Sequence, residues 1–220
     1  MKKVAVILSG CGYLDGAEIR ESVLTLLALD INGIDYNIFA PDMTQHHVVN
    51  HITGVPDQSA SRNVLEEAGR IARGKVTPIT EINVEEYDAL VIPGGFGVAK
   101  NLSSFAFKGS IGEIEPEVLA VLKSFRLSNK PIGAICISPA LLALAFGENK
   151  PTLTIGQHAE TATEIEKTGS IHQICATNEC VIDKTNLLVT TPAYMDDQAN
   201  LRDVFQGISK LVKAVVELSK

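Results

Sequence analysis

The chain has 220 residues, of which 45% are hydrophobic and 20% are charged, as in an ordinary globular protein. This length fits one large α/β domain spanning residues 1–220 better than two small domains. The formal net charge is -7 and no basic run offsets it, which excludes a nucleic-acid partner on electrostatic grounds. The first apolar run, residues 4–8, is too short for a signal peptide or a membrane span, so we expect a cytoplasmic protein with no membrane partner.

Neither the cysteines nor the histidines have the spacing of a metal site. The four cysteines contain no CxxC pair, and in a cytoplasmic chain we expect free thiols. His46, His47 and His51 lie close together in sequence, but no carboxylate between them completes a zinc-binding pattern. The glycine-rich segments lack the dinucleotide and phosphate-loop patterns. We therefore predict neither a metal nor a cofactor.

Strands and helices alternate along the chain. Residues 4–8 form a continuous run rich in valine, typical of a strand buried on both faces. The helix that follows opens at Asp15-Gly16 and ends at Asn32-Gly33, and its apolar stripe consists of Ile19, Val23, Leu26, Leu27 and Ile31. Further strands are predicted at residues 34–39, 76–79, 87–92, 131–135, 152–155 and 187–190. Further helices are predicted at residues 60–73, 116–127, 138–145, 161–167 and 200–219.

This alternation predicts an α/β fold, with a doubly wound, mostly parallel sheet covered by helices on both faces. In such sheets, ligand sites form beyond the carboxyl ends of the strands. Three unusual loops fall at strand ends here, namely residues 9–12, 93–97 and 136–137. Because a doubly wound fold brings such loops together, we expect the functional site among them.

The strand at residues 131–135 stops at Cys136, and a helix follows from Ser138 or Pro139. This is the geometry of a nucleophile elbow, which exposes a side chain at the top of the sheet. A cysteine there faces the free amides of a helix, and their positive end favours the thiolate. Cys136 is therefore the leading candidate nucleophile. The alternative is a buried, inert cysteine that closes a core strand.

Two other groups could assist a thiol at this position. Gly94 and Gly95 follow a strand and permit close backbone approach, so their amides could bind an oxyanion, although paired glycines are common at such turns. In the first helix, Glu21 lies deeper than Glu18, where an acid is less expected. A carboxylic acid close to Cys136 could hydrogen-bond the thiolate and exchange protons with a substrate. A solvated capping role is the alternative for Glu18.

Six stretches at and around these residues resemble one superfamily. They are VILSGCGYLDGAEIRE (6–21), INGIDYNIFAPD (31–42), SRNVLEEAGRIARGK (61–75), LVIPGGFGVAKNLSSFA (90–106), KPIGAICISPALLA (130–143) and VTTPAYM (189–195). Together they span nearly the whole chain and resemble the DJ-1/PfpI, class I glutamine amidotransferase-like superfamily. Within it, the chain is similar to the ElbB/ES1 group, known as enhancing lycopene biosynthesis protein 2 or sigma cross-reacting protein 27A.

The resemblance implies a flavodoxin-like fold, a homodimer and a weak glyoxalase-type activity that converts glyoxal to glycolate without glutathione. Cys136 matches the nucleophile of the family. Glu21 matches its acid, and Glu18 remains a second candidate because the first loop is longer here. Gly95 and Ile137 would donate backbone amides to the oxyanion.

The departures from the family pattern reduce the number of reactions that the site could catalyse. Ile137 replaces the histidine of the Cys-His pair in PfpI-type proteases, and no clear His-x-Glu pair occurs late in the chain as in glutamine amidotransferases. Amide hydrolysis needs such a base, whereas thiol addition to an aldehyde needs only a proton source and an oxyanion site. His158, in a region where DJ-1-like enzymes place a histidine, and Cys11, at another strand end, are further candidates. A redox-sensing or metabolic regulatory protein and an amidotransferase-like subunit remain alternatives to an enzyme of small aldehydes.

Overall fold

A computed structural model describes residues 1–219; Lys220, the last residue of the predicted domain, lies outside the described residues. The strands are β1 (Lys3–Ile7), β2 (Asp35–Ala40), β3 (Val76–Pro78), β4 (Ala89–Ile92), β5 (Ile132–Ile135), β6 (Thr152–Leu153), β7 (Ile171–His172), β8 (Val181–Asp183) and β9 (Leu188–Thr191). The α-helices are α1 (Ile19–Ile31), α2 (Val64–Ile71), α3 (Phe96–Lys100), α4 (Phe105–Lys108), α5 (Pro116–Leu127), α6 (Ser138–Phe146), α7 (Ala159–Lys167) and α8 (Leu201–Leu218).

A seven-stranded sheet in the order β3-β2-β1-β4-β5-β9-β8 forms the centre of the fold. Every neighbouring pair is parallel except β8 and β9, and β6 pairs with β7 in a separate two-stranded sheet. One apolar cluster joins the sheet to α5 and α6, and a second joins its other face to α1, α2 and α8. The predicted doubly wound, mostly parallel, flavodoxin-like sheet is therefore confirmed. Because β1, β4 and β5 are neighbours, the loops that follow them meet at one edge.

The predicted start of the first helix is wrong. The helix begins at Ile19 and not at Asp15-Gly16, because the Glu18 side chain caps it by accepting a hydrogen bond from the Glu21 amide. Its apolar stripe does not face the core, since four residues of the stripe are between 43% and 63% exposed: Ile19, Val23, Leu27 and Ile31.

The buried face of α1 carries small and polar residues in place of that stripe. Ser22 and Thr25 are fully buried, and their hydroxyls donate to the carbonyls of Glu18 and Glu21, at 2.6 and 2.7 Å. These local bonds satisfy the hydroxyls, so they can be buried without an unpaired donor. The helix can therefore lie close to α8 and the sheet while its apolar row faces outward.

The other differences concern element ends and short elements. The predicted helix at 60–73 begins only at Val64, because the Asn63 side chain caps it. The strand predicted at 76–79 ends at Pro78, since Ile79 opens a 3-10 turn, and the strand predicted at 152–155 ends at Leu153. The short elements α3, α4, β7 and β8 were not predicted, because each has five residues or fewer and too little periodicity to stand out.

Candidate functional site

Cys136 lies on a strained turn between β5 and α6. Its φ is +61°, a conformation that residues with a side chain rarely adopt. The turn is held by its neighbours, since the Cys136 amide donates to the Thr191 carbonyl at 3.0 Å and the Ser138 hydroxyl donates to the Pro93 carbonyl at 2.9 Å. The predicted elbow is therefore present, and it directs the Cys136 side chain toward the loop that follows β4.

Three groups converge on the Cys136 sulfur. The backbone amides of Gly95 and Ile137 donate hydrogen bonds to Sγ, and the carboxyl group of Glu21 forms a third bond with it. The sulfur is nearly buried, with 7% of the residue exposed. The structure thus brings together the predicted nucleophile, the predicted acid and both predicted amide donors.

The Glu21 carboxyl group is fully buried in the first turn of α1 and is fixed at both oxygens. Oε2 accepts from the Gly94 amide at 3.0 Å, and Oε1 accepts from the Tyr194 amide at 3.1 Å. The Tyr194 contact was not predicted from sequence. The sequence nevertheless indicated that residue 194 lies near Cys136, because it follows β9, whose carboxyl end lies beside that of β5.

The glycine loop is required for this arrangement. A Cβ atom on Gly94 would lie 2.4 Å from the Cys136 Cβ and 2.6 Å from Glu21 Oε2. Gly95 has a φ of +98°, and a Cβ there would meet the Gly16 carbonyl and the Glu18 amide at 2.4 Å. Residue types other than glycine would separate the thiol from the acid or displace the loop.

Burial decides the protonation of the pair. It raises the pKa of Glu21 to about 8, and the nearby charge of Glu18 adds to this effect. Burial also raises the pKa of Cys136 well above its usual value, and the carboxylate of Glu21 raises it further. The Gly95 and Ile137 amides lower this pKa, but by less. At neutral pH the pair is therefore mainly a thiol beside a carboxylic acid. The expected preference for thiolate at the helix end is outweighed by the loss of solvation.

Glu18 contacts the pair indirectly. Its backbone amide donates to the Gly94 carbonyl at 2.9 Å, and its side chain accepts from the Glu21 amide at 2.6 Å. Burial raises the pKa of Glu18 as well. Glu18 therefore positions the start of α1 against the glycine loop, and no described bond joins it to the sulfur.

Cys11 and His158 lie away from the pair. Cys11 is half-buried, and the charged groups that act on it are those of Glu67, Arg70, Asp15 and Arg62. His158 is exposed and caps α7, where its Nδ1 accepts from the Thr161 amide at 3.3 Å. Across residues 1–219, no described hydrogen bond joins a histidine to Cys136 or Glu21.

Two open cavities are lined by residues that adjoin the pair, whereas Cys136 and Glu21 themselves are not among their walls. The first, named here the phenylalanine cleft, has a volume of about 400 Å³, and its walls include Phe96, Phe105, Phe107, Ile137, Glu160 and Glu164. The second has a volume of about 510 Å³ and lies beside Glu18, with Tyr13, Arg20, His51 and Tyr194 among its walls.

In the part of the chain that the structure describes, no group of three or more histidine, cysteine, aspartate or glutamate side chains is arranged to hold a metal ion. Within residues 1–219, no helix combines the length and the apolarity needed to cross a bilayer.

A doubly wound sheet with an elbow cysteine beside a buried carboxylic acid defines a thiol site of the class I glutamine amidotransferase-like type. The profile of the DJ-1/PfpI family matches residues 2–202. The chain therefore belongs to the DJ-1/PfpI family.

Several known proteins are similar over the whole chain. The rat "ES1 protein homolog, mitochondrial" is 42% identical over 99% of this chain and 84% of its own length. The human "Glutamine amidotransferase-like class 1 domain-containing protein 3, mitochondrial" is 42% identical over 99% of this chain and 83% of its own length. A solved structure from Ehrlichia chaffeensis, described as an isoprenoid biosynthesis protein with an amidotransferase-like domain, has 40% identity, a TM-score of 0.93 and full coverage of both chains.

Proposed function

We propose that the chain is a glyoxalase-type enzyme that converts glyoxal and related small α-oxoaldehydes to hydroxy acids without glutathione or another cofactor. The observation that supports this most is the hydrogen bond between Glu21 and the Cys136 sulfur, with two backbone amides on the same sulfur. A thiol, a proton carrier and an oxyanion site are the groups that this reaction needs.

The reactive form carries one proton on the Cys136–Glu21 pair. The Glu21 carboxylate takes the thiol proton as Sγ bonds to the aldehyde carbon, and the carboxylic acid then gives that proton to the former carbonyl oxygen. A hemithioacetal forms and Glu21 is again a carboxylate. The amides of Gly95 and Ile137 would stabilise the oxygen while it carries negative charge.

The same carboxylate completes the reaction. Glu21 takes the proton from the carbon bonded to sulfur and gives it to the oxygen of the second carbonyl group, which yields an enediol. It then takes the hydroxyl proton from the sulfur-bearing carbon and gives it to the neighbouring carbon. The product is a thioester of the hydroxy acid. Water then adds to the thioester carbon, the Cys136 sulfur leaves as a thiol, and the hydroxy acid is released. The sum is one α-oxoaldehyde and one water to one hydroxy acid, with no external oxidant or reductant.

Acid quenching tests whether Cys136 carries the intermediate. The protein is mixed with glyoxal, quenched within seconds and mapped by tandem mass spectrometry. We expect an acyl or hemithioacetal adduct on the Cys136 peptide, while half-buried Cys11 serves as the internal control. An adduct on Cys11 alone, or equal labelling of both thiols, would refute the assignment of Cys136.

The alternative functions have less support from the site. Redox sensing requires an accessible thiolate, and burial raises the pKa of Cys136. An amidotransferase-like subunit, suggested by the name of the human relative, would use a histidine base beside the nucleophile, and within residues 1–219 no described hydrogen bond joins a histidine to Cys136 or Glu21. The two mammalian relatives are named mitochondrial proteins, so the cytoplasmic location of this chain is retained as a proposal for cell fractionation to test.

We also propose that the protein forms a homodimer through the exposed row on α1. Ile19, Val23, Leu27 and Ile31 repeat every four residues, and this is the row that interdigitates in the commonest class of helix packing. In an antiparallel pair of α1 helices centred between Val23 and Leu27, the exposed Arg20 of each copy would lie beside Asp30 of the other. The row is therefore complementary to itself in both shape and charge.

A further inference from the structure

The phenylalanine cleft begins next to both amide donors of the nucleophile. Ile137 lines the cleft and donates its own amide to the Cys136 sulfur. Phe96, another wall residue, directly follows Gly95, the second donor. The cleft therefore adjoins the residues that carry or follow the two amide donors, although Cys136 and Glu21 are not among its walls.

The walls of the cleft are largely aromatic and aliphatic. Phe105 is buried, whereas Phe96 and Phe107 are about half exposed. Lys100 Nζ lies 5.0 Å from the centroid of the Phe96 ring and the His46 ring lies 4.4 Å from that of Phe107, so each ring offers only part of its surface to a ligand. Ile137 completes this apolar lining beside the nucleophile. The volume of about 400 Å³ lies within the range of small-molecule sites and exceeds what glyoxal would fill.

The charges in the cleft are negative. Glu160 and Glu164 lie on its α7 side, and no lysine, arginine or histidine is among its walls within residues 1–219. Hydrogen bonds from Lys167 and the Ser110 amide lower the pKa of Glu164 to about 2, so this carboxylate is ionised at physiological pH. Glu164 is paired with Lys167, whereas no described ion pair involves Glu160, so an anionic substituent in the cleft would meet the like charge of Glu160.

The second cavity carries charges of both signs, because Arg20, Glu18 and Asp197 are among its walls. Arg20 lies in its wall, where the guanidinium donates to the Tyr194 hydroxyl at 3.2 Å. This cavity adjoins Glu18 and not the amide donors of the sulfur. The two cavities therefore predict different substrates, and only the phenylalanine cleft shares a wall residue with the oxyanion site.

We propose that the phenylalanine cleft binds the substituent of the substrate, and that the preferred substrates are α-oxoaldehydes with an uncharged aryl group. This inference rests on the glyoxalase-type function proposed above and adds its substrate class. Phe96 and Ile137 determine specificity by packing against the aryl ring. Glu160 disfavours substituents that carry a carboxylate.

Three substrates that differ in size and charge test this assignment. The kcat/KM of the unmodified protein is measured for methylglyoxal, phenylglyoxal and 4-carboxyphenylglyoxal, in assays short enough to limit arginine modification. We expect phenylglyoxal to exceed methylglyoxal about tenfold, because the ring buries apolar surface against aromatic walls. We expect the added carboxylate to reduce kcat/KM about tenfold relative to phenylglyoxal.

Variants connect this preference to the cleft. Phe96→Leu is expected to reduce the ratio of phenylglyoxal to methylglyoxal, and Glu160→Lys to raise kcat/KM for 4-carboxyphenylglyoxal. Leu127→Ala, at an exposed position on α5 away from the cleft, is the control and should leave both ratios unchanged. The comparison of substrates on the unmodified protein needs no variant and remains decisive if one fails to fold.

The outcomes separate the two proposals. If neither glyoxal nor any of the three substrates is turned over, the proposed function itself is refuted. Turnover of methylglyoxal without a preference for phenylglyoxal would refute the cleft as the substituent site and leave the function intact. A preference for the carboxylated substrate that Arg20→Ala abolishes would instead assign the substituent to the second cavity.

Discussion

The proton shared by Cys136 and Glu21 sets the chemistry of the site. Both groups are buried, and burial disfavours the charged form of each. Backbone amides donate to the sulfur and to the Glu21 carboxyl oxygens, and they stabilise the charged forms. This stabilisation is smaller than the cost of desolvation. The resting pair is therefore nearly neutral at pH 7, and the form with one proton, which the proposed reaction uses, is a minority there.

The activity should consequently rise with pH. Because Glu21 has a pKa of about 8, kcat/KM for glyoxal is expected to increase about tenfold per unit below that pH and to level off above it. Glu21→Gln should lose about 100-fold or more of the activity and lose this pH dependence as well. Initial rates of glycolate formation between pH 6 and about 9.5 measure both effects. A flat profile for the unmodified protein would refute the role of Glu21.

Gly94 offers a second test at the residue scale. Gly94→Ala places a Cβ 2.4 Å from the Cys136 Cβ, so the thiol and the acid must separate. We expect activity to fall about 100-fold, since proton transfer requires contact between the two groups. Gly69→Ala is the matched control, because a Cβ on Gly69 finds no described neighbour closer than 3.7 Å. Equal activity in both variants would show that the spacing between Cys136 and Glu21 does not matter.

Among the elements, α1 combines a buried acid with an exposed apolar row. The periodicity of Ile19, Val23 and Leu27 predicts a helix correctly, and the structure shows that these residues do not face the core. Sequence periodicity indicates which face is apolar, and it does not indicate whether the core or another surface covers that face. The inner face carries Ser22 and Thr25, whose hydroxyls bond within the helix, and this compensation is visible only in three dimensions.

The exposed row predicts the oligomeric state. The unmodified protein should sediment as a dimer at micromolar concentration, and the double variant Val23→Glu, Leu27→Glu should sediment as a monomer, because carboxylates would face each other across the row. Leu127→Glu, at an exposed apolar position on α5, is the control that should leave the dimer intact. A monomeric parent, or a dimer that survives the double substitution, would contradict the assignment of this surface.

For the whole molecule, the alternation of strands and helices was sufficient to predict the sheet and the edge that carries the site. The elbow at Cys136 followed from an apolar strand that stops before a helix, and Glu21 was favoured over Glu18 by its depth in α1. Two properties were not predicted. The Tyr194 amide reaches Glu21 from the turn after β9, which is remote in sequence, and the raised pKa of Cys136 depends on burial that no local pattern encodes.

The buried Glu21 should also make the free energy of unfolding depend on pH. Folding raises the pKa of Glu21 from 4.5 to about 8, so the native state binds a proton more tightly than the unfolded chain. This stabilisation is complete below pH 4.5 and is lost as the pH rises through about 8. We expect Tm to fall by about 10 °C between the acid and alkaline ends of this range, because the shift corresponds to about 4 kcal/mol. Scanning fluorimetry should show a weaker decline for Glu21→Gln, and parallel curves would contradict the buried protonated acid.

Glycolate formation from glyoxal by the parent protein and by Cys136→Ala, followed by NMR near pH 8, tests the central claim most directly. The account predicts steady production of glycolate by the parent without glutathione, and no production above the protein-free background by the variant. Cys11→Ala, which removes a half-buried thiol away from the pair, should behave as the parent. Production by Cys136→Ala at the parent rate would contradict the account.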